Sequence, residues 1–181
     1  SFPTRRSSDL IVVLNIHSPG GSVTGTPETA TRIAQLRDTK EVHAYTSTLC
    51  CSAAYYLASQ ADQITAAPSA CIGSIGVYMA MLDESRALEM EGIKVEFIKA
   101  GRLKGMGASF KPLTDEERAL MQASVDSIWQ DFKKAATTLR PISEDDMQGQ
   151  WFDGTTAAAK NLVDVLTNSS IDEYVAGLLV R

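Results

Sequence analysis

Apolar positions in this chain fall into short runs that alternate with stretches of helical spacing. Ile11 to Ile16 is a β-branched run closed by His17-Ser18-Pro19-Gly20-Gly21, which predicts a buried strand ending in a turn. Thr26-Pro27 then supplies a cap and a first-turn proline, and Ala30, Ile33, Ala34 and Leu36 share one helix face. Val42 to Thr46 predicts a second strand, Ser52 to Gln60 a buried helix, and Ile64 to Ala67 a short strand. Further on, Ile75 to Met81 predicts a strand and Asp83 to Glu91 a helix stopped by Gly92. Lys94 to Ile98 predicts another strand. Repeated βα units of this kind predict an α/β fold with a mainly parallel sheet.

The second half is dominated by one long helix. Thr114 and Glu117 have capping-box spacing, and Leu120, Met121, Val125, Ile128, Trp129, Phe132, Ala136 and Leu139 continue the period towards Arg140. At 1.5 Å per residue that is about 40 Å, longer than a single domain's core requires, so a neighbouring subunit could share it. Asp153-Gly154 followed by Ala157 to Val165 predicts a turn and a helix-to-strand element, with Asn161 suited to a left-handed helix end.

Composition narrows the class. The 181 residues are 44% hydrophobic and 22% charged, which excludes disorder, collagen and a coiled-coil array. A net charge of −5 offers phosphate backbones no electrostatic footprint, so no nucleic acid is expected as a partner. No apolar run approaches the roughly 18 residues of a bilayer span. Of the three cysteines, Cys50 and Cys51 are adjacent and ill placed to pair with each other, so reduced thiols are expected. Residues 1–10, SFPTRRSSDL, match one reading frame of a common sequencing-adapter oligonucleotide and are set aside as non-native. Without them the balance is 15 basic against 21 acidic residues, or −6. A single domain over residues 11–181, truncated at its N-terminus, is expected.

Candidate chemistry clusters early. Gly20 and Gly21 follow a strand, where N–H groups can approach an oxyanion without an intervening Cβ. Ser52 starts a predicted helix and is either an ordinary N-cap or a nucleophile. Cys51 is a rival nucleophile, or a small buried filler. A serine nucleophile needs a base; His17 could reach the glycine turn, and His43 lies in a strand as a structural group. A lysine kept neutral in a dry site can also accept the serine proton, which draws attention to Lys104 in Ala100-Gly101-Arg102-Leu103-Lys104.

Five segments in order, Ser18-Pro19-Gly20-Gly21, Ser52-Ala53-Ala54-Tyr55-Tyr56, Gly73-Ser74-Ile75-Gly76-Val77, Ala100-Gly101 with Lys104, and Asp153-Gly154 through Leu162-Val163-Asp164, resemble the signal peptide peptidase family of serine peptidases. That family includes phage capsid-assembly proteases. The resemblance spans about residues 11–166 and implies the Clp protease/crotonase-like fold. It implies Ser52 as nucleophile and Lys104 as general base, with Gly21 and Ala53 N–H groups as the oxyanion hole and Ser74 orienting the lysine. Ser74 has a bland alternative as a turn hydroxyl. The alanines after Ser52, Ala100 before Gly101 and Asn161 depart from the family's usual residues, and none of these changes removes a catalytic group.

The implied activity is endopeptidase cleavage of unfolded or extended polypeptide, without cofactor or metal, in a ring-like homo-oligomer. Alternatives are a crotonase-like acyl-CoA enzyme with Ser52 only structural, or an inactive scaffold or assembly module. The single catalytic region and free thiols tilt slightly towards a phage-type, cytoplasmic enzyme, with membrane association of the parent protein left open.

Overall fold

The computed structural model describes residues 10–180. Ser1 to Asp9 of the adapter-like segment lie outside the described residues. In chain order the elements are β1 (Ile11–Asn15), α1 (Thr26–Leu36), β2 (Glu41–Thr46), β3 (Leu49–Cys51), α2 (Ala53–Ala58), β4 (Gln63–Ala66) and β5 (Cys71–Gly73). They continue with α3 (Ser85–Met90), α4 (Asp115–Thr137), a 3₁₀ turn at Glu144–Met147, β6 (Trp151–Asp153), α5 (Gly154–Ala159), β7 (Val165–Leu166) and α6 (Ile171–Leu179). Two compact units result: residues up to Gly76 with Trp129 onward, and Val77–Ile128.

In the first unit, β1-β2-β4-β7 form a four-stranded parallel sheet, and β3-β5-β6 form a second sheet in which only β6 runs antiparallel. The architecture is therefore α/β and mainly parallel, as the alternation of elements predicts. Strand β2 is central, and every residue but Glu41 is buried, as strands covered on both faces must be. Val42 and Ala44 join the core cluster with Ile33, Tyr55, Ala58 and Ile64. His43 and Tyr45 point the other way, where the unforeseen α6 covers them. Tyr174 stacks on Tyr45 at 5.2 Å, and its hydroxyl lies 2.6 Å from His43 Nδ1. The other ring nitrogen of His43 meets Glu41 Oε1 at 2.7 Å, so this histidine is a fully engaged structural group.

Small side chains let the layers close tightly. Tyr55, fully buried, donates its hydroxyl to the Leu162 carbonyl at 2.9 Å, tying α2 to the return of the chain. Arg140, 3% exposed, donates to the Ser59 and Ala61 carbonyls and to Asp164 Oδ2, which also accepts the Ile64 N–H. One guanidinium thus satisfies two buried carbonyls in the turn that leads from α2 to β4. The helix α1 starts differently from the prediction. Gly25, at φ 88°, holds the N-cap position, while Thr26 Oγ1 donates back to the Ser22 carbonyl.

The second unit is built from turns, α3 and the first part of α4. Glu117 Oε2 accepts the Thr114 N–H and Thr114 Oγ1 accepts the Glu117 N–H, the expected capping box. Phe97 and Phe110 pack edge to face at 5.0 Å. Neither Ile75 to Met81 nor Lys94 to Ile98 becomes a strand, contrary to the pattern. Apolar alternation proposes a strand, but only a ladder partner makes one, and neither segment pairs among the described residues. Tyr78, Leu82, Met90 and Ile98 are left largely exposed. Further along, α4 ends at Thr137 rather than Arg140; Phe132 and Ala136 are buried, and Leu120 and Leu139 are not. No helix among the described residues is long and apolar enough to cross a membrane.

Candidate active site

Ser52 occupies the single residue between β3 and α2. The chain must turn there from an extended strand into a helix, and Ser52 does so at φ 53°, ψ −127°, a region that costs a residue with a Cβ about 1–3 kcal/mol. The surroundings hold it in place. Its N–H donates to the Gly73 carbonyl at 2.8 Å, and its own carbonyl accepts the Tyr56 N–H at 2.9 Å. Although Ser52 stands at the N-cap position, its side chain does not cap the helix, and its Oγ makes no hydrogen bond among the described residues. The strain therefore presents the hydroxyl instead of consuming it, which separates Ser52 from an ordinary capping serine.

The glycine loop lies directly against this serine. Ser18 donates its N–H to Leu49 O and accepts the Cys51 N–H on its carbonyl, so the loop runs alongside β3 like an extra short strand. Gly20 follows at φ 118°, and a Cβ there would lie 2.6 Å from Ser52 Cβ and 3.0 Å from its Oγ. Only glycine fits. Gly21 and Ala53 both line one cavity of about 620 Å³, together with Asn15, His17 and Leu57. Ala53 is the first helical residue, so its N–H has no partner within α2. The Gly21 N–H likewise has no acceptor among the described residues. Two backbone N–H groups without a partner among the described residues therefore belong to residues that line this cavity, one of them next in sequence to Ser52.

The other predicted residues are distributed as follows. Ser74 follows β5 at φ 51°, donates its N–H to the Gln150 carbonyl at 2.8 Å, and leaves its hydroxyl unbonded among the described residues. Gly73, at φ 112°, is squeezed against the same Gln150 carbonyl and supplies the acceptor for the Ser52 N–H. Its place in Gly73-Ser74 was visible, but its role in holding Ser52 depends on the β3–β5 pairing, which local pattern did not reveal. His17 is exposed, and its Nδ1 lies 2.5 Å from Thr48 Oγ1. Cys51 is 5% exposed, and burial together with a hydrogen bond to Cys71 pushes its thiol up to about 12, which disfavours it as a nucleophile. Lys104 belongs to the second unit. It is exposed on a turn where its N–H donates to the Gly101 carbonyl and Gly101 sits at φ 92°.

A strained serine with a free hydroxyl, set at a strand-to-helix turn against a glycine loop, is the arrangement of a nucleophilic acyl-transfer site on a parallel α/β fold. The chain belongs to peptidase family S49, whose family model matches residues 34–176. It is 33% identical to capsid assembly protease C of Escherichia phage lambda, over 88% of this chain and 37% of that protein. It is also 33% identical to head-tail preconnector protein GP5 of Enterobacteria phage P21, over 88% of this chain and 32% of that protein. The chloroplastic serine protease SPPA of Arabidopsis thaliana is 31% identical over 85% of this chain and 24% of its own length. The chain thus spans well under half the length of these relatives.

Proposed function

We propose that this chain is a serine endopeptidase acting on extended polypeptide through a Ser52–Lys104 dyad. The observation that carries the proposal is the strained, uncapped Ser52 held over Gly20. Neutral Lys104 Nζ takes the Ser52 hydroxyl proton as Oγ bonds to the peptide carbonyl carbon. The oxyanion so formed accepts hydrogen bonds from the Gly21 and Ala53 N–H groups. Collapse breaks the C–N bond, and the amine leaves with the proton from Lys104. Water, deprotonated by Lys104, then attacks the acyl-enzyme and regenerates Ser52. The Ser74 hydroxyl orients the lysine ammonium.

The substrate is a protein segment that binds extended, by backbone pairing, with neutral side chains in the cavity bordered by Gly21 and Ala53. Among the described residues, no carboxylate or ammonium side chain lines that cavity. The name of the lambda relative, a capsid assembly protease, supports a protein substrate met in particle assembly, and the enzyme works as a homo-oligomer. Family membership favours the peptidase over an acyl-CoA enzyme on the same fold.

Incubation with casein at pH 7 to 9, beside Ser52→Ala and Lys104→Ala, tests the assignment by mass spectrometry of fragments. Cleavage by the parent and neither variant is expected. Cleavage that survives in Lys104→Ala overturns the lysine as base and promotes His17, and cleavage that survives in Ser52→Ala overturns the dyad.

A further inference from the structure

The residue before the nucleophile has a close thiol neighbour. Cys51 Sγ lies 3.6 Å from Cys71 Sγ, across the parallel pair β3 and β5. The register sets Cys71 level with Leu49 and Cys51 level with Gly73, so the contact runs diagonally between the strands. All three cysteines are free, and Cys71 is the one that is not buried. Cys50, on the opposite face of β3, is turned into the core and takes no part.

We propose that Cys51 and Cys71 form an oxidisable dithiol which closes to a disulfide beneath Ser52 and disarms it. The oxidant is a peroxide. The half-buried Cys71 meets it first: it gives its proton to solvent, its sulfur attacks one peroxide oxygen, the O–O bond breaks, and the departing hydroxide takes up a proton from solvent, leaving a sulfenic acid and one water. Cys51 Sγ then attacks the Cys71 sulfur; the S–S bond forms, the S–O bond breaks, and the second water carries away the Cys51 proton. Two thiols are oxidised and one peroxide is reduced to two waters. A small-molecule dithiol reverses the step by exchange. Burial of Cys51 raises its thiol and keeps it from reacting alone, which leaves the order Cys71 first and Cys51 second.

The consequence for Ser52 follows from geometry. A disulfide needs its sulfurs at about 2.05 Å, so closure draws them together by roughly 1.5 Å across a diagonal that strand pairing does not favour. The far end of β3 yields, and Ser52 follows it directly, its N–H bonded to Gly73 O on the same strand as Cys71. A displacement of about 1 Å at a nucleophile costs on the order of 100-fold in rate. This loss of activity rests on the peptidase reading; the bond itself does not.

The test is to treat the folded chain with hydrogen peroxide and follow intact mass and casein cleavage together. Trypsin leaves all three cysteines in one peptide, Glu41 to Arg86, so cutting before Asp62 is needed to separate Cys71 from the others. The expected result is a loss of about 2 Da, a Cys71 link that persists in Cys50→Ser and is absent in Cys71→Ser. Cleavage should fall at least tenfold in the parent and in Cys50→Ser, recover with dithiothreitol, and resist peroxide in Cys71→Ser. Thiols that stay free, a bond to Cys50 or between chains, or a Cys51–Cys71 bond with unchanged cleavage each overturn the proposal. A chain that cleaves nothing before oxidation overturns the peptidase reading, and intact mass still decides the bond.

Discussion

Gly20 and Ser52 approach so closely that a methyl group on the glycine would lie 2.6 Å from the serine Cβ and 3.0 Å from its Oγ. Both residues also have positive φ, 118° and 53°. The loop and the serine therefore constrain each other: the serine is held in its strained turn partly because the loop passes over it without a side chain.

Gly20→Ala and Gly21→Ala separate these roles. Alanine at 20 meets both a collision and a left-handed φ, so a stability loss of about 1–3 kcal/mol and a cleavage loss on the order of 100-fold are expected. Alanine at 21 meets nothing within 4 Å of its Cβ and keeps its N–H, so its cleavage should stay within about tenfold of the parent. Thermal unfolding and casein cleavage of the two variants side by side check the contrast.

Ser52→Gly should be more stable than the parent and inactive. Glycine adopts φ 53°, ψ −127° without the Cβ penalty, and no side-chain hydrogen bond is lost. A gain of about 1 kcal/mol is expected from chemical denaturation, against a smaller effect for Ser52→Ala, which keeps the strain.

Arg140→Met removes the donors to two buried carbonyls and to Asp164, whose side chain is 35% exposed. Water can reach the orphaned carboxylate but not the carbonyls. A loss of about 2–3 kcal/mol in urea unfolding is expected, below the full range for a wholly buried pair.

Glu117 makes the second unit sensitive to acid. Hydrogen bonds from Lys111, at 2.7 and 2.8 Å, and from the Thr114 N–H hold its carboxyl below the usual carboxylate range. A carboxyl lowered on folding stabilises fully above its unfolded value, near 4.3, and that contribution is lost as pH falls through the folded value. The melting temperature of the parent should therefore fall more steeply between pH 5 and 3 than that of Glu117→Gln. Parallel slopes would contradict this.

Much of the architecture was legible because it is governed by short-range rules. The Ile11 and Val42 runs, the Thr114–Glu117 box, and the helix start after Ser52 are fixed by side chains within four residues of one another. The order of Ser18-Pro19-Gly20-Gly21, Ser52, Gly73-Ser74 and Lys104 was enough to point to the peptidase family to which the chain belongs. Strands β3, β5 and β6, three residues each, escaped notice because so short a run carries no measurable period. Ile75 to Met81 and Lys94 to Ile98 erred the other way, having strand pattern without a ladder partner among the described residues.

By itself, then, the sequence determined the parallel α/β class, the Thr114–Glu117 capping box, and the residue types from which a nucleophile and an oxyanion loop could be built. Only tertiary structure decided that Ser52 is strained and uncapped, that Gly20 touches it, that His43 is walled in by Tyr174, and that Cys51 lies against Cys71. Each of these depends on residues twenty or more positions apart. Their energies come from strand pairing and packing, which no local pattern encodes.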